Sequence, residues 1–215
     1  MLQVPANSFK AFQMNGCGVC NGMTQALEKE IMQRLFVAIT LPDTVRQLLL
    51  ERQTELSDIR WTSPDNLHLT LRFIGEVPLA KVSVIKAGLR TVSENAFSLQ
   101  VKGLGYFDKR PQAIVWAGVV ESALLLALKK QVDDALALHA ELKVPDGRFS
   151  PHITLGRAKR AGRSALKNFI AKYDDATTAA FTVKSFTLFN SVLAPGGAVH
   201  TAEERYPLVN DIGKI

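Results

Sequence analysis

Two of the four histidines in this chain stand in the same short pattern. In His68-Leu-Thr-Leu71 and in His152-Ile-Thr-Leu155, a threonine follows two positions after the histidine, with apolar residues between and after them. On a β-strand the His and Thr side chains of each copy would share one face, and the intervening Leu or Ile would point into the core. Each copy therefore presents an imidazole beside a hydroxyl.

Such a pair of imidazoles suits in-line displacement at phosphorus. Because histidine has an ordinary pKa of about 6.5, one ring can act as a neutral base while the other acts as a charged acid at neutral pH. The hydroxyls of Thr70 and Thr154 can hydrogen-bond the non-bridging phosphate oxygens, and Arg157, just after the second copy, can neutralise the same oxygens. Neither histidine has a carboxylate or cysteine beside it, which disfavours a catalytic triad or a metal site.

The alternative is a packing motif that a duplication has preserved. This alternative predicts that replacement of His68 or His152 by Gln or Asn would cause little loss of activity.

The elements that must position these side chains follow from hydrophobic periodicity and turn residues. Strands are predicted over 34–41, 67–74, 97–107, 113–120, 151–155 and 181–189, and helices over 44–56, 77–95, 122–142 and 164–173. The stretch 191–208 contains Ala194-Pro-Gly-Gly197 between apolar runs, which predicts a hairpin that extends the sheet of the second half.

The second half of the chain repeats the order of the first half. The offset in sequence number from His68 to His152 is 152 − 68 = 84, and the stretch Val183–Phe189 matches Val101–Phe107 at an offset of 183 − 101 = 82. Two near-equal offsets in separate elements indicate an internal duplication. The stretch 1–33 belongs to neither copy, and we expect it to form an appended, mobile segment.

Composition narrows the class of protein. The chain has 215 residues, 47% of them hydrophobic, and a formal net charge of +6, which excludes general disorder and only mildly favours polyanionic partners. The longest apolar stretch, 123–128, is far shorter than the roughly 20 residues of a membrane span. The beginning of the chain lacks the apolar core of a signal peptide, so we expect a cytoplasmic protein. The lone Cys17-Gly-Val-Cys20 lacks the second pair of a zinc ribbon and the preceding strand of a thioredoxin site.

Other residues are weaker candidates. Lys159, Arg160 and Arg163 join Arg157 in a basic cluster that could follow an RNA backbone or form a solvated turn. Three aromatic residues could stack on a base, although aromatic residues at strand ends are more often part of the core: Phe73, Phe107 and Phe149. We expect His139 on the surface of a helix. We expect His200 to lie in the hairpin and to have no role.

In combination, these motifs resemble the LigT-like branch of the two-histidine phosphoesterases, the RNA 2',3'-cyclic phosphodiesterases. The resemblance runs from Arg34 to Leu208 and rests on four stretches: Arg34-Leu-Phe-Val-Ala-Ile-Thr-Leu-Pro42, His68-Leu-Thr-Leu71, Arg72-Phe-Ile-Gly-Glu-Val77 and Ser150-Pro-His-Ile-Thr-Leu-Gly-Arg157.

The resemblance implies an α+β fold that is a bilobal internal duplication. Two antiparallel sheets would face each other across a central cleft, with the helices on the outside. We therefore expect a single phosphoesterase domain over 34–215, with copies at about 34–110 and 111–215, after an N-terminal extension over 1–33. We also expect a monomer.

The resemblance further implies hydrolysis of RNA or nucleotide 2',3'-cyclic phosphates to 2'-phosphates, with no metal and no cofactor. It makes His68 the proton donor and His152 the proton acceptor, while Thr70, Thr154 and Arg157 hold the phosphate. The symmetry of the two motifs does not by itself assign donor and acceptor. Two alternatives stay open: reversible 2'-5' joining of RNA ends, and a non-catalytic module that binds RNA ends.

Overall fold

Ten strands and four α-helices are found in the computed structural model, which describes residues 31–56, 59–109, 112–158, 163–173 and 177–209. Residues 1–30 of the predicted N-terminal extension, with Cys17 and Cys20, lie outside these ranges, as do Lys159 and Arg160 of the basic cluster. The predicted end of the extension at residue 33 is corrected, because Met32 and Gln33 already belong to the first strand. In chain order the elements are β1 (Met32–Thr40), α1 (Asp43–Glu51), β2 (Ile59–Trp61), β3 (His68–Pro78), α2 (Leu79–Leu89), β4 (Phe97–Leu99), β5 (Val101–Lys109), β6 (Gln112–Val119), α3 (Ala123–Ala140), β7 (His152–Ala158), α4 (Arg163–Lys172), β8 (Phe181–Val183), β9 (Ser185–Ala194) and β10 (Gly197–Pro207).

Most of the predicted elements are confirmed, with changes at their ends. The predicted strands over 97–107 and 181–189 are each divided in two, and β3 runs beyond its predicted end at Ile74 to Pro78, after which α2 begins at Leu79. The helix predicted over 44–56 ends at Glu51 and continues as a 3-10 turn, Arg52–Glu55. Periodicity does not predict strand β2, because so short a strand shows no recognisable alternation.

Two antiparallel sheets are present, but neither corresponds to one half of the chain. Eight strands from both halves form the larger sheet in the order β10-β9-β1-β3-β7-β6-β5, with β2 paired to β7. The second sheet consists of β4 and β8. Within the described residues the halves are joined by the pairing of β1 with β9, by that of β5 with β6, and by β3 and β7 through the pair Leu69 and Ile153.

The hairpin prediction also needs a correction. The β9–β10 hairpin exists with its turn where predicted, but β9 pairs with β1 of the first half. In this pairing Leu188 stands opposite Val37, and both side chains are completely buried. Strands β5 and β9 match in sequence, yet β5 pairs with β6 and β9 with β1. The two halves thus exchange their matching strands.

The core lies on the face of the large sheet opposite the histidines. Leu35, Val37 and Ile39 alternate along β1 at 1% exposure or less, and the apolar side of α3 is fully buried at Leu125, Leu128, Val132 and Leu136. Within the described ranges, no helix is long and apolar enough to cross a membrane.

Candidate active site

The two His-x-Thr motifs meet where β3 and β7 meet. Leu69 and Ile153 stand directly opposite each other and are both buried in the core. Because side chains alternate along a strand, the residues on either side of this pair point to the opposite face of the sheet. These four half-buried residues are His68, Thr70, His152 and Thr154. The structure therefore brings together two imidazoles and two hydroxyls, as the sequence predicts.

Backbone carbonyls hold the rings of both histidines. Nδ1 of His152 lies 2.8 Å from the carbonyl oxygen of Ser150, so Nδ1 carries the proton and Nε2 is left for proton transfer. His68 has a corresponding hydrogen bond to the backbone of Asn66, also two positions earlier. Each ring is thus held by the backbone of the residue two positions earlier in the chain.

Aromatic rings pack against each histidine. The ring of Phe36 stacks on His68 at a centroid distance of 4.9 Å, and Phe107 meets His152 edge-on at 5.0 Å. Phe189, which matches Phe107 in the duplication, lies 6.4 Å from His68. These contacts restrict both imidazoles to one orientation.

Arg157 reaches the same face through a β-bulge. Simple alternation from Thr154 would point residue 157 into the core beside Leu155. Instead, Trp116 pairs with Thr154 while Ile114, two positions before Trp116, pairs with Arg157. The extra residue in β7 turns the Arg157 side chain to the side of Thr154, where it is exposed.

A bulge at the equivalent place in β3 exposes Phe73. Ala38 pairs with Thr70 and Phe36 with Phe73, so the Phe73 side chain lies on the face of Thr70. Phe73 is 69% exposed, and its ring centroid lies 6.2 Å from that of Phe36. Its offset to Arg157 equals that between the two histidines, so it occupies the equivalent place in the first half. Phe73 is thus the open member of the three aromatic candidates, since Phe107 and Phe149 are half-buried.

Buried Arg72, next to Phe73, connects the two motifs through the interior. Its guanidinium lies 3.4 Å from a carboxylate oxygen of Asp133 on α3 and donates a hydrogen bond to the carbonyl of Lys143. This carbonyl belongs to the segment that leads to Ser150 and His152. Arg72 therefore ties the first motif to the approach of the second.

The surroundings of His68 favour its neutral form. The pKa of His68 is lowered to about 4, mainly by burial and then by the nearby His200 and His152, while the hydrogen bond to Asn66 partly opposes this shift. In the free protein the ring is therefore neutral at pH 7. An anion bound beside the ring would raise this pKa, because it favours the imidazolium.

His200, which is expected from the sequence to have no role, packs against the first histidine of the site. Its ring lies edge-on to His68 at 5.5 Å and to Phe36 at 4.8 Å, and its Nδ1 is buried with no hydrogen-bond partner among the described residues. Burial and the nearby Arg34 lower the pKa of His200. The contact depends on the pairing of β9 with β1, which no local sequence signal reveals. His139 is exposed on α3, as predicted.

We expect folding stability to depend on pH through His68. The unfolded imidazole titrates near 6.5 and the folded one near 4, so between these values the unfolded state binds a proton that the folded state does not. The free energy of unfolding should therefore fall by up to about 3 kcal/mol as pH drops from 7 to 4. Urea unfolding of wild type, His68→Asn and the exposed control His139→Asn across this range measures the effect. Equal pH slopes in wild type and His68→Asn would contradict it.

A metal site has no candidate in the part of the chain that the structure describes, where no three His, Cys, Asp or Glu residues are grouped so as to hold an ion.

Comparison with known proteins shows which family this chain resembles. The family model described as LigT like phosphoesterase matches residues 39–116 and 119–200, one segment for each motif. An RNA 2',3'-cyclic phosphodiesterase of Thermus thermophilus is 34% identical over 193 residues, covering 84% of this chain and 93% of the relative. One of Archaeoglobus fulgidus is 31% identical over 171 residues, covering 78% and 96%.

Solved structures are similar over the same region. Escherichia coli LigT in its apo form has a TM-score of 0.66 and 27% identity, covering 83% of this chain and 98% of that chain. The complex of E. coli LigT with 3'-AMP has a TM-score of 0.66 and 26% identity, covering 83% and 99%. The resemblance found in the sequence is thus confirmed, and the chain belongs to the LigT-like phosphoesterase family.

Proposed function

We propose that this chain hydrolyses the 2',3'-cyclic phosphate of RNA ends or nucleotides to a 2'-phosphomonoester, using two histidines and no metal. The observation that carries the proposal is the set of two His–Thr pairs on one face around Leu69 and Ile153. Relatives with 31% and 34% identity over most of the chain bear the name RNA 2',3'-cyclic phosphodiesterase, which supports this substrate.

The proposal includes a duplicated, bilobal origin of the site. Leu69 pairs with Ile153 and Ser98 with Thr182, and the members of each pair are separated by the same offset as the two histidines. Equivalent residues that face each other in antiparallel pairs are what a local twofold axis between the copies would produce. The cleft would lie on the histidine face, between copies at about 34–110 and 111–215.

The proposed reaction is an in-line displacement at phosphorus. Nε2 of neutral His152 takes a proton from water as the water oxygen forms a bond to phosphorus. The bond from phosphorus to the 3'-oxygen breaks, and imidazolium His68 gives its proton to that oxygen. The phosphate then remains on the 2'-oxygen.

Three side chains would stabilise the charge that develops on the phosphate. The hydroxyls of Thr70 and Thr154 donate hydrogen bonds to its non-bridging oxygens from the two sides. Arg157 adds a guanidinium, whose charge-assisted hydrogen bonds are stronger than those of neutral donors.

The donor role of His68 requires substrate to charge it. Burial keeps the ring neutral in the free protein, with a pKa of about 4. A cyclic phosphate brings one negative charge beside the ring and raises this pKa, so His68 would take up a proton as substrate binds. The binding of substrate therefore determines which histidine is the acid. This agrees with two nearly symmetric motifs that do not themselves assign the roles.

Product analysis tests the proposal. EDTA-treated protein is incubated with nucleoside 2',3'-cyclic monophosphates and with RNA that ends in a cyclic phosphate, and the products are separated by chromatography. We expect 2'-monophosphates. Formation of 3'-monophosphates would contradict the departure of the 3'-oxygen. Joined oligonucleotides would favour 2'-5' end-joining, and binding without turnover would favour an RNA-end-binding module.

Phe73 offers a surface for the base of the terminal nucleotide. Stacking of a base on an aromatic ring contributes about 1–3 kcal/mol. We therefore expect Phe73→Ala to raise KM for a cyclic nucleotide about tenfold with little change in kcat, and Phe73→Trp to retain a low KM. Steady-state kinetics beside Leu138→Ala, a substitution of an exposed residue on α3, measures this effect. An unchanged KM in Phe73→Ala would exclude the stacking role.

A further inference from the structure

Two arginines stand directly opposite each other at the edge of the candidate site. Arg60 of β2 is the cross-strand partner of Arg157 of β7. Cβ atoms of directly opposite residues lie about 4.5–5.5 Å apart, and like charges in this arrangement destabilise the sheet. Both residues are exposed, and within the described ranges neither guanidinium forms an ion pair with a carboxylate. An anion between them would remove this repulsion.

Arg60 lies on the same face as the two His-x-Thr motifs. It pairs with Arg157, and the bulge in β7 has turned Arg157 to the side of Thr154. β2 continues along β7 after β3 has left it, since the amide of Thr62 donates to the carbonyl of Leu155 at 2.8 Å. The arginine pair therefore extends the phosphate-binding face outward from Thr154.

The tip of the β9–β10 hairpin holds the Arg60 side chain at this place. Nη2 of Arg60 donates to the carbonyl oxygen of Gly196 at 3.1 Å, and Nδ2 of Asn66 donates to the carbonyl of Ala198 at 2.7 Å. A guanidinium has five N–H donors, so this one hydrogen bond leaves others for a ligand. The Arg60 side chain is thus held in place and still has N–H donors for a ligand.

We propose that Arg60, together with the N–H donors of Arg157 that the cyclic phosphate does not use, binds the internucleotide phosphate that precedes the terminal nucleotide, so that the preferred substrate is an RNA strand rather than a mononucleotide. This inference rests on the proposed function. The nearest further anion on an RNA end is the phosphodiester on the 5' side of the terminal nucleotide. Paired guanidinium groups match a phosphodiester in charge and hydrogen-bonding geometry.

The experiment compares three substrates: a nucleoside 2',3'-cyclic monophosphate, a short RNA with a cyclic end, and the same RNA with a neutral methylphosphonate at its last internucleotide linkage. We expect the kcat/KM of wild type to be about tenfold higher on the charged RNA than on the neutral one, because hydrogen bonds to a charged group are stronger than those to a neutral group. Arg60→Gln should abolish this preference and leave the mononucleotide unaffected, while Arg60→Lys should retain part of it. Lys130→Gln, on the exposed side of α3, is the matched control.

A second readout is the salt dependence of RNA binding to the His68→Ala variant, which does not require turnover. Loss of one phosphate contact on single-stranded RNA should reduce the slope of log K against log salt by about 0.7 when Arg60→Gln is added. An unchanged slope, or an equal effect of Arg60→Gln on all three substrates, overturns the inference. If wild type turns over none of the three substrates, the proposed hydrolysis fails, while the slope still tests the binding of Arg60.

Discussion

Alanine at His152 or at His68 is expected to lower kcat for a 2',3'-cyclic phosphate by about 10²–10⁴, the usual contribution of a general acid or base. KM should change far less, because Thr70, Thr154 and Arg157 still hold the phosphate. The double variant should lose little more than either single variant, since acid and base act in the same transition state. Steady-state kinetics of the three variants measures this.

The exposed His139 supplies the control for these substitutions. His139→Ala removes an imidazole on α3, away from the histidine face of the sheet, and should leave kcat unchanged. The alternative of a preserved packing motif predicts that His68→Gln and His152→Gln keep most of the activity. Activity within a few-fold of wild type in both Gln variants would refute the catalytic role of the pair.

Removal of the Arg157 charge is the second large effect that we expect. Arg157→Gln should reduce kcat/KM about 10–100-fold, because a hydrogen bond to a charged group contributes about 1.5–3 kcal/mol. Arg157→Lys should recover part of the loss, since an ammonium supplies the charge but not the paired donors. The measurement is kcat/KM on a mononucleotide, which lacks the second phosphate that Arg60 would bind.

Arg148→Gln is the matched control for Arg157. Its side chain is 89% exposed, and the ion pair that it forms with Glu121, at 4.0 Å, is long. We expect this variant to behave as wild type. If Arg157→Gln also behaves as wild type, then Arg157 does not contact the phosphate, and the turn produced by the β7 bulge has no catalytic purpose.

The two His-x-Thr motifs could be predicted because their geometry is local. His68 with Thr70, and His152 with Thr154, share a face through strand alternation alone, and the apolar residues between them enter the core in both halves. The offset between the histidines also recurs in the strand pairs that join the halves.

The remaining features depend on pairings between distant segments. β9 matches β5 in sequence but pairs with β1, so His200 reaches His68 in a way that periodicity does not reveal. Arg157 and Phe73 face the site because one extra residue lies between each of them and the threonine of its motif, and a bulge has no clear signal in a single sequence. The sequence does not point to Arg60, because its strand, Ile59–Trp61, is too short to show a pattern.

Phosphorus NMR follows the proposed hydrolysis at the reacting atom itself. A short RNA ending in a 2',3'-cyclic phosphate is incubated in excess EDTA with wild type, His68→Ala or His152→Ala, and the cyclic phosphate signal is followed over time. We predict that only wild type replaces this signal with that of a 2'-phosphomonoester. A cyclic phosphate signal that persists with wild type, or a 3'-phosphomonoester as product, would contradict hydrolysis to a 2'-phosphate by the two histidines.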